Sequence, residues 1–297
     1  MHRFDWDDVR TFLALKRAGR LATAALQLGI EQSTLSRRVS ALEASFGVRL
    51  FERRSTGFTL TPEGQSLVSD AESMESLAIR MRARIEDTAV GLTGTLRLGS
   101  PEGFGTYFLA PRIAKFCKLH PELEIELVAN PRSFSLSKRE ADLAITMTRP
   151  TQGRVYAQKL TDFSLGIYAA ESYLALGEPI LTRAELDQHR WVGYVEDLMW
   201  TAELDYIPNI SLSIVPILRI SNVISQMAAL AGGAGLGVLP NFMARTEPAL
   251  KRVLSNDVEL TRSYWLVAHA DTRDVARFEH LAEFIRSEMD GSADFWQ

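Results

Sequence analysis

Apolar residues near the start of the chain recur at spacings of three and four, which predicts three short helices. The first is expected over residues 5–18 and the second over Leu21 to Leu28, where Gly29 suits the left-handed turn that ends a helix. The third follows after a short turn. The apolar positions of the three helices are Val9, Phe12, Leu13 and Leu15, then Ala22, Ala25 and Leu28, then Leu35, Val39 and Leu42.

The third helix carries polar residues between its apolar positions, so its outer face is available for hydrogen bonding. Two short helices joined at a glycine-containing turn, the second with such a face, describe a helix-turn-helix, here over Leu21 to Ser40. Two ordinary amphipathic helices of a bundle would give the same periodicity. If the segment is a helix-turn-helix, its base-edge or phosphate contacts are predicted at Gln32, Ser33, Thr34, Ser36, Arg37 and Arg38.

A basic hairpin is predicted directly after the third helix. Residues 49–54 and 58–61 form two short strands around Ser55-Thr56-Gly57, and Arg53 and Arg54 are expected to contact phosphate or the minor groove. From helix to hairpin the segment resembles the N-terminal domain of LysR-type transcriptional regulators. The matching residues are Ala24-Ala25, Ser36-Arg37, Leu42-Glu43, Gly47, Leu50-Phe51 with Arg53, and Leu60-Thr61 with Gly64; Arg20 departs from the family's Gly-Ser-Phe corner.

A long helix is predicted from Pro62 to about Thr88, opened by a threonine N-cap followed by proline. Its apolar residues alternate spacings of four and three, as in a coiled-coil seam. The seam predicts pairing with a second chain, and the alternative is packing on its own domain. The resemblance implies that this linker helix dimerises antiparallel to its counterpart, through Leu67, Met74, Met81 and Ile85.

Beyond Leu92-Thr93-Gly94 the pattern changes to strands that alternate with helices, which predicts an α/β unit with a parallel sheet. A second α/β half begins near Asp162, and the strand 264–268 returns to the first half. The overall prediction is a winged helix-turn-helix over 1–61, a linker helix over 62–90, and an α/β effector domain over 91–297. The resemblance implies that this domain is periplasmic-binding-protein-like, with lobe I at about 91–161 and 265–297 and lobe II at about 162–264.

Ligands of open α/β sheets bind at the carboxyl ends of strands, so the strand ends predict the site. A helix N-terminus favours a carboxylate ligand, but Glu102 disfavours an anion, so the class of ligand stays open. Capping is the alternative role for Ser100 and Ser133, and a core position is the alternative for Tyr194 and Trp200. The predicted effector contacts are Ser100, Glu102, Phe104, Arg132, Ser133, Thr146, Tyr194 and Asn222.

Charge is distributed unevenly along the chain. Residues 1–65 carry an excess of three positive charges, whereas the rest carries an excess of seven negative charges, which fits a DNA-binding head on an acidic body. The N-terminus lacks a signal-peptide core and no run of about 18 apolar residues predicts a membrane span. We therefore expect a cytoplasmic protein.

Other classes of function fit less well. The run Gly232 to Gly237 lies after a helix and before a strand, the reverse of a phosphate-binding loop. The five histidines show no metal-ligand spacing, and the single cysteine, Cys117, excludes a thiol-disulfide switch within one subunit. A transported-solute receptor would need a signal peptide, and a sequence-blind DNA-coating protein would need no ligand cleft.

The sequence therefore predicts a ligand-responsive transcriptional regulator of the LysR type, without enzymatic activity, metal or cofactor. Its expected partners are double-stranded DNA with an interrupted palindrome, a small-molecule effector, and a second copy of the chain. The resemblance implies a homotetramer built as a dimer of dimers. RNA polymerase is a further candidate partner.

Overall fold

The computed structural model describes residues 5–86, 92–130, 141–151, 155–269 and 275–296. It divides into two compact units, Met1–Ile85 and Glu86–Gln297. The first unit combines a winged helix-turn-helix with the long helix that follows it. The second is the α/β effector unit. No helix among the described residues is both long and apolar enough to cross a bilayer.

Three helices and a hairpin form the head. Helix α1 begins after Asp5, whose carboxylate accepts the backbone N–H of Asp7 at 3.2 Å. Helices α1, α2 and α3 each end at a glycine in the left-handed conformation. The bounds are Trp6–Ala18 for α1, Leu21–Leu28 for α2, Gln32–Phe46 for α3, Phe51–Arg54 for β1 and Gly57–Leu60 for β2.

The head buries one continuous apolar cluster, to which α1, α2, α3 and β1 all contribute. The predicted apolar positions of α1 and α3 are buried, as expected. In α2 the prediction is wrong for Ala22, which is exposed, while Ala24 and Ala25 are buried. The way α2 packs on α1 determines which alanines are buried, because the adjacent small residues Ala24 and Ala25 allow the two helices to approach closely.

Helix α4 (Pro62–Glu86) packs on the head with its first half. Val68 and Ala71 lie in the head's core, and Leu67 packs against it. Glu72 forms an ion pair with Lys16 of α1 at 2.8 Å. Leu67, predicted as a dimerisation residue, is therefore partly buried against the core of its own unit, and its part in pairing with a second chain stays a prediction.

Further along α4 the apolar residues are exposed. Met74, Leu77 and Met81 form a stripe at spacings of three and four, and the exposed fraction of Met81 is 58%. We call these three residues the α4 stripe. The predicted side chain of Ile85 lies outside the described residues.

The effector unit is built on a seven-stranded sheet of order β10-β6-β11-β5-β3-β4, with β9 also paired to β6. Strand β3 pairs with β4 and β5 in parallel, as predicted, while β11 is antiparallel to both β5 and β6. A parallel pair, β7 and β8, forms a separate small sheet. The bounds are Gly94–Ser100 for β3, Leu123–Ala129 for β4, Leu143–Thr146 for β5, Val155–Ala170 for β6, Val192–Tyr194 for β7, Leu218–Ile220 for β8, Gly237–Pro240 for β9, Leu250–Val253 for β10 and Leu260–His269 for β11.

Two long strands connect the lobes of this unit. Strands β6 and β11 pair along their length, from Leu260 opposite Leu165 to His269 opposite Val155. The first part of β6 and the end of β11 belong to lobe I, while the end of β6 pairs with β9 and β10 in lobe II. The predicted crossing strands are therefore confirmed, although the strand expected to begin near Asp162 already begins at Val155.

The helices of the effector unit cover this sheet. The helix predicted from Phe104 begins earlier, at Glu102, and passes through a π-helical turn at Gly105–Leu109 before α6. A Cβ on Gly105 would lie 2.5 Å from Ala129 Cβ, so β4 approaches this turn closely. The bounds are Glu102–Phe104 for α5, Ala110–Leu119 for α6, Glu171–Leu174 for α7, Val223–Ala231 for α8, Asn241–Ala244 for α9 and Ala276–Asp290 for α10.

Candidate DNA-binding surface and ligand cavity

Helix α3 separates its two faces cleanly. Leu35, Val39 and Leu42 are buried in the head's core. The polar residues of the first turns of α3 carry amide, hydroxyl and guanidinium groups; Thr34 and Arg38 are half-buried, and the others are exposed. This outer face consists of Gln32, Ser33, Ser36 and Arg37. It presents donors and acceptors of the kind that read base edges in a major groove.

Arg38 differs from the other predicted DNA contacts. Its guanidinium Nη1 lies 3.0 Å from Asp7 Oδ2 and 3.9 Å from Asp8 Oδ1 of α1. Arg38 stands three residues after Leu35, so it lies on the side of α3 that faces the other helices. The structure therefore places Arg38 in a scaffold contact and leaves Arg37 on the exposed face.

Glu43 holds the wing to α3. Its buried carboxylate accepts the backbone N–H groups of Leu50 at 2.8 Å and Phe51 at 3.1 Å, and it pairs with Arg49 at 3.2 Å. A carboxylate with three donors is satisfied although it is buried. This is the physical role of the Leu42-Glu43 pair in the motif: it fixes where the hairpin leaves the recognition helix.

Three arginine side chains lie on the wing. Arg53 and Arg54 are exposed, as predicted, and Arg54 pairs with Glu52 at 3.2 Å between two exposed side chains. Arg49, which the sequence did not single out, is 82% exposed beside Glu43. Such surface pairs are weak, so these guanidinium groups are available to a phosphate backbone.

The end of the wing is fixed to α4 by Thr61 and Gly64. The Thr61 hydroxyl accepts the N–H of Gly64 at 2.9 Å, which confirms the predicted N-cap, and donates to the carbonyl of Arg49 at 2.7 Å. A Cβ on Gly64 would lie 2.1 Å from the carbonyl oxygen of Leu50. The Leu-Thr-x-x-Gly segment of the motif is thus a close contact between the helix start and the wing.

A small cavity lies between the lobes of the effector unit; we call it the cleft cavity. Its volume is about 30 Å³, the space of about one water molecule. Lobe I contributes Glu102 and Met147, lobe II contributes Tyr194 and Asn222, and the crossing strand β11 contributes Tyr264. The described lining residues are Pro101, Glu102, Gly103, Met147, Tyr194, Trp200, Leu204, Tyr206, Asn222, Val223, Pro240, Met243 and Tyr264.

The carboxylate of Glu102 is the chemically distinctive group of the cleft cavity. Its Oε2 atom is buried without a hydrogen-bond partner. Burial raises the pKa of this carboxyl above its usual range, because the charged form loses its hydration. An unpaired buried carboxylate oxygen is costly in the free protein.

Of the other predicted effector contacts, some line the cleft cavity and others do not. Tyr194 lines the cleft cavity, and so does Asn222, whose amide oxygen caps α8 by accepting the N–H of Ser225 at 2.7 Å. Ser100 is 0% exposed, and its hydroxyl donates to the carbonyl of Pro101. Phe104 is buried against Phe108, Tyr264 and Trp296. These two therefore lie in the interior rather than on the cavity wall.

Thr146 does not line the cavity either. Its hydroxyl donates to the carbonyl of Thr148 at 2.7 Å, and the neighbouring Met147 lines the cavity instead. The predicted contacts Arg132 and Ser133 lie outside the described residues. A cavity does lie at the sheet edge that the strand ends indicated, but alternation along the strand decides which side chain reaches it.

A second, larger cavity lies within lobe II; we call it the lobe II cavity. Its volume is about 260 Å³, and it shares Tyr194, Leu204 and Tyr206 with the cleft cavity. Its apolar lining includes Ile207 and Pro216, and an ion pair between Arg219 and Glu196 at 2.6 Å borders it. The two cavities are therefore neighbours across a shared wall.

The segment 199–214, which resembled nothing identifiable in the sequence, builds this wall. Short 3-10 helices at Ala202–Leu204 and Ile207–Asn209 place Leu204 and Tyr206 between the two cavities. Burial raises the pKa of the Tyr206 hydroxyl, so it stays protonated. Sequence reasoning missed Tyr206 because a 3-10 segment lacks the periodicity that marks a buried face; its aromatic residue in a polar stretch was the available signal.

Packing explains the glycine run that superficially suggested a nucleotide loop. A Cβ on Gly235 would lie 2.3 Å from the Arg190 carbonyl oxygen, and one on Gly237 would lie 2.8 Å from Leu230. The glycine run therefore packs α8 onto β9, as predicted. Among the described residues no group of three metal-binding side chains comes together.

Comparisons with known proteins agree with this organisation. A family model described as bacterial regulatory helix-turn-helix protein, lysR family, matches residues 6–65, and the LysR substrate binding domain matches residues 89–290. The chain is 26% identical to the HTH-type transcriptional regulator PtxR of Pseudomonas aeruginosa, over 86% of this chain and 82% of that protein. It is 25% identical to the glycine cleavage system transcriptional activator of Escherichia coli K12, over 93% and 91%.

The fold is shared with a solved structure. ArgP from Mycobacterium tuberculosis superimposes with a TM-score of 0.71 at 18% identity, covering 97% of this chain and 98% of that one. At this level of identity the likeness is one of fold.

Proposed function

The chain belongs to the LysR family of bacterial transcriptional regulators, and from that membership we propose which of its surfaces carry out regulation. As a member it is a DNA-binding regulator with an effector-binding domain and not an enzyme. We propose that the outer face of α3 reads bases in the major groove, with Arg37 on a guanine, and that the wing cations contact phosphate or the minor groove. Cytoplasmic action on promoter DNA follows, with RNA polymerase as a further partner.

One observation carries the proposal for DNA reading. Leu35, Val39 and Leu42 of α3 are buried in the head's core. The polar residues Gln32, Ser33, Ser36 and Arg37 remain exposed on its outer face. Such a helix is held rigidly from behind and presents its N-terminal residues outward, which is the geometry of a recognition helix. The wing, fixed by Glu43, adds sequence-independent contacts beside it.

We further propose that two chains associate through the α4 stripe, Met74, Leu77 and Met81. An exposed apolar stripe with helical spacing is suited to pairing with a second helix. Two recognition helices would then meet half-sites separated by whole turns of DNA, about 10 base pairs each. A homotetramer, assembled from two such dimers through effector-unit contacts, is the proposed full assembly.

A small molecule in the cleft cavity is proposed to control this assembly. The cavity takes residues from both lobes and from the strand that joins them, so a ligand there has different contacts in open and closed arrangements. Differential affinity for two arrangements is what lets a ligand shift an equilibrium. The shift would change half-site spacing or DNA bend.

The experiment that tests this function is selection of genomic fragments by the purified full-length protein at physiological salt, followed by sequencing. We expect a few intergenic sites that share an interrupted palindrome, because a dimer reads two half-sites. Recovery of all fragments in proportion to their length would show that the head binds charge without reading sequence, and it would overturn the proposal.

A further inference from the structure

We propose that the effector of the cleft cavity carries a primary ammonium group, which binds the carboxylate of Glu102 while its apolar remainder extends toward the lobe II cavity. This inference rests on the proposed function, because it names the class of ligand for the same cleft.

The lining of the cleft cavity carries an acidic side chain, and a positively charged ligand complements it. Among the described residues that line the cleft cavity, Glu102 is the one with an ionisable acidic or basic group other than tyrosine. No lining lysine, arginine or histidine is described there to receive an anion. An anionic ligand would therefore meet a carboxylate in a poorly solvated site, whereas a cation would supply the missing partner of that carboxylate.

One carboxylate oxygen of Glu102 lacks a hydrogen-bond partner. Oε2 of Glu102 is buried and accepts no hydrogen bond, whereas the buried carboxylate of Glu43 in the head accepts two backbone N–H groups. Buried charged groups in proteins are normally paired. An N⁺–H donor from a ligand would satisfy Oε2 with a charge-assisted hydrogen bond.

The size and the aromatic lining of the cleft cavity also suit a primary ammonium group. A cavity of about 30 Å³ accommodates a group about as large as water, which an –NH₃⁺ group is and a trimethylammonium group is not. Tyr194, Trp200 and Tyr264 line the cavity, and aromatic faces attract cations. The amide oxygen of Asn222 and the tyrosine hydroxyls are further acceptors for the remaining N–H donors.

The apolar remainder of the ligand needs space outside the small cleft cavity. The lobe II cavity of about 260 Å³ adjoins the cleft cavity across Tyr194, Leu204 and Tyr206. Its wall includes the apolar side chains of Val192, Ile207, Ile214 and Pro216. A short alkyl chain on the ammonium suits this apolar space, and it reaches that space only when the shared wall of Tyr194, Leu204 and Tyr206 opens.

Binding of an ammonium ligand is also coupled to loss of the proton on the Glu102 carboxyl. Burial raises the pKa of the Glu102 carboxyl, so the free protein holds a proton there over part of the acidic range. A bound cation favours the carboxylate and releases that proton. The tyrosines that surround the site, Tyr107, Tyr194, Tyr206 and Tyr264, all have pKa values raised by burial and stay neutral. Affinity for an ammonium should therefore fall as the pH is lowered.

The test uses four probes on the full-length protein in isothermal titration calorimetry: n-butylammonium, butyrate, n-butanol and tetramethylammonium. We expect n-butylammonium to bind at least about tenfold tighter than each of the others, which corresponds to about 1.4 kcal/mol. We expect binding to be weaker at pH 5 than at pH 7.5, with proton release seen as a heat that depends on the buffer.

Glu102→Gln should lose the preference for n-butylammonium, the pH dependence and the proton release together. Glu171→Gln is the matched control, because Glu171 is exposed on α7 and pairs with Lys251 outside both cavities. Thermal unfolding of both variants shows whether each is folded. A tighter complex with butyrate, no preference for n-butylammonium over n-butanol, or an unchanged preference in Glu102→Gln would each overturn the inference.

These results are separable from those of the fragment selection. If the protein selects an interrupted palindrome but prefers butyrate, the ammonium inference fails and the regulator stands. If it selects no sequence, the proposed DNA reading fails whichever probe binds.

Discussion

Two glutamates, the buried Glu43 and the half-buried Glu102, set the head and the effector unit apart. In the head, Glu43 accepts two backbone N–H groups and pairs with Arg49, so its charge is fully used in holding the wing to α3. In the effector unit, Oε2 of Glu102 is buried in a cavity without a partner. A satisfied buried carboxylate fixes one structure, whereas an unsatisfied one is a cost that a ligand can remove.

The same contrast extends to the rest of each unit. The head keeps its chemistry on the outside of a helix whose other face is fixed in a core. The effector unit keeps its chemistry inside, at a junction made by two lobes and two long strands. We infer that the head is built to be constant and that the effector unit is built to change with its ligand.

The largest expected effect comes from removing the satisfied carboxylate. Glu43→Ala leaves the buried N–H groups of Leu50 and Phe51 without their acceptor, so we expect a loss of about 2–4 kcal/mol in the free energy of unfolding of the head. Hydrogen exchange of these two amides measures it directly. Glu52→Ala, an exposed neighbour on the wing, is the control and should change stability by less than about 0.5 kcal/mol. Equal effects of the two substitutions would contradict the assigned role of Glu43.

The α4 stripe is an exposed apolar group within its own unit, as far as the described residues show. Met81→Glu places a charge in the proposed dimer contact, so we expect self-association to weaken about tenfold, or about 1.4 kcal/mol. Sedimentation velocity over a concentration series measures the change. Arg53→Glu is a charge-reversing control on the wing and should leave self-association unchanged. A dimer unaffected by Met81→Glu would move the interface elsewhere.

Removing the unsatisfied carboxylate should have the opposite sign from Glu43→Ala. Without ligand, Glu102→Gln is expected to stabilise the effector unit by less than about 1 kcal/mol at neutral pH, because it removes a charge whose Oε2 is buried and unpaired but which solvent partly screens. The pKa of Glu102 is raised in the folded state, so the wild type loses stability as the pH rises from the ordinary carboxyl pKa through the folded value. The gain should therefore vanish in acid, below the ordinary pKa.

Thermal unfolding followed by tryptophan fluorescence reports this change, since four of the five tryptophans, Trp191, Trp200, Trp265 and Trp296, lie in the effector unit. Glu171→Gln is again the control. A destabilised Glu102→Gln protein at neutral pH would show that the carboxylate already has a partner.

The smallest expected effect belongs to Arg38. Its pairing with Asp7 and Asp8 is partly exposed, so Arg38→Ala should cost about 0.5 kcal/mol of stability. Because Arg38 lies against α1, the substitution should leave the preference for the selected DNA site unchanged. A loss of sequence preference, measured by competition between specific and scrambled duplexes, would return Arg38 to the recognition face.

Local patterns were sufficient to predict most of the head. Helical spacing placed Leu35, Val39 and Leu42 in the core, where they are found, and the capping signal at Thr61 is confirmed by its hydrogen bonds. The prediction was wrong at Ala22, and the ion pair of Arg38 with Asp7 was not foreseen; both residues have surroundings that another helix determines. Periodicity describes one helix at a time and does not contain that information.

The cleft was predictable in position but less so in composition. Strand and helix ends led to Glu102 and Asn222, because termini at a sheet edge are local features. Ser100 lies at the same edge but is buried, since alternation along β3 turns its side chain inward. Tyr206 and Leu204 reach the cleft from a segment of 3-10 turns, and their arrival depends on tertiary packing that no short pattern records.

The central claim is that the exposed face of α3 reads DNA sequence. The most direct test measures the binding free energies of the wild type and Arg37→Ala on the selected site and on a scrambled duplex, at one salt concentration. The account predicts a loss of about 1–3 kcal/mol on the selected site and little change on the scrambled duplex. An equal loss on both duplexes would make Arg37 a backbone contact and would contradict the claim.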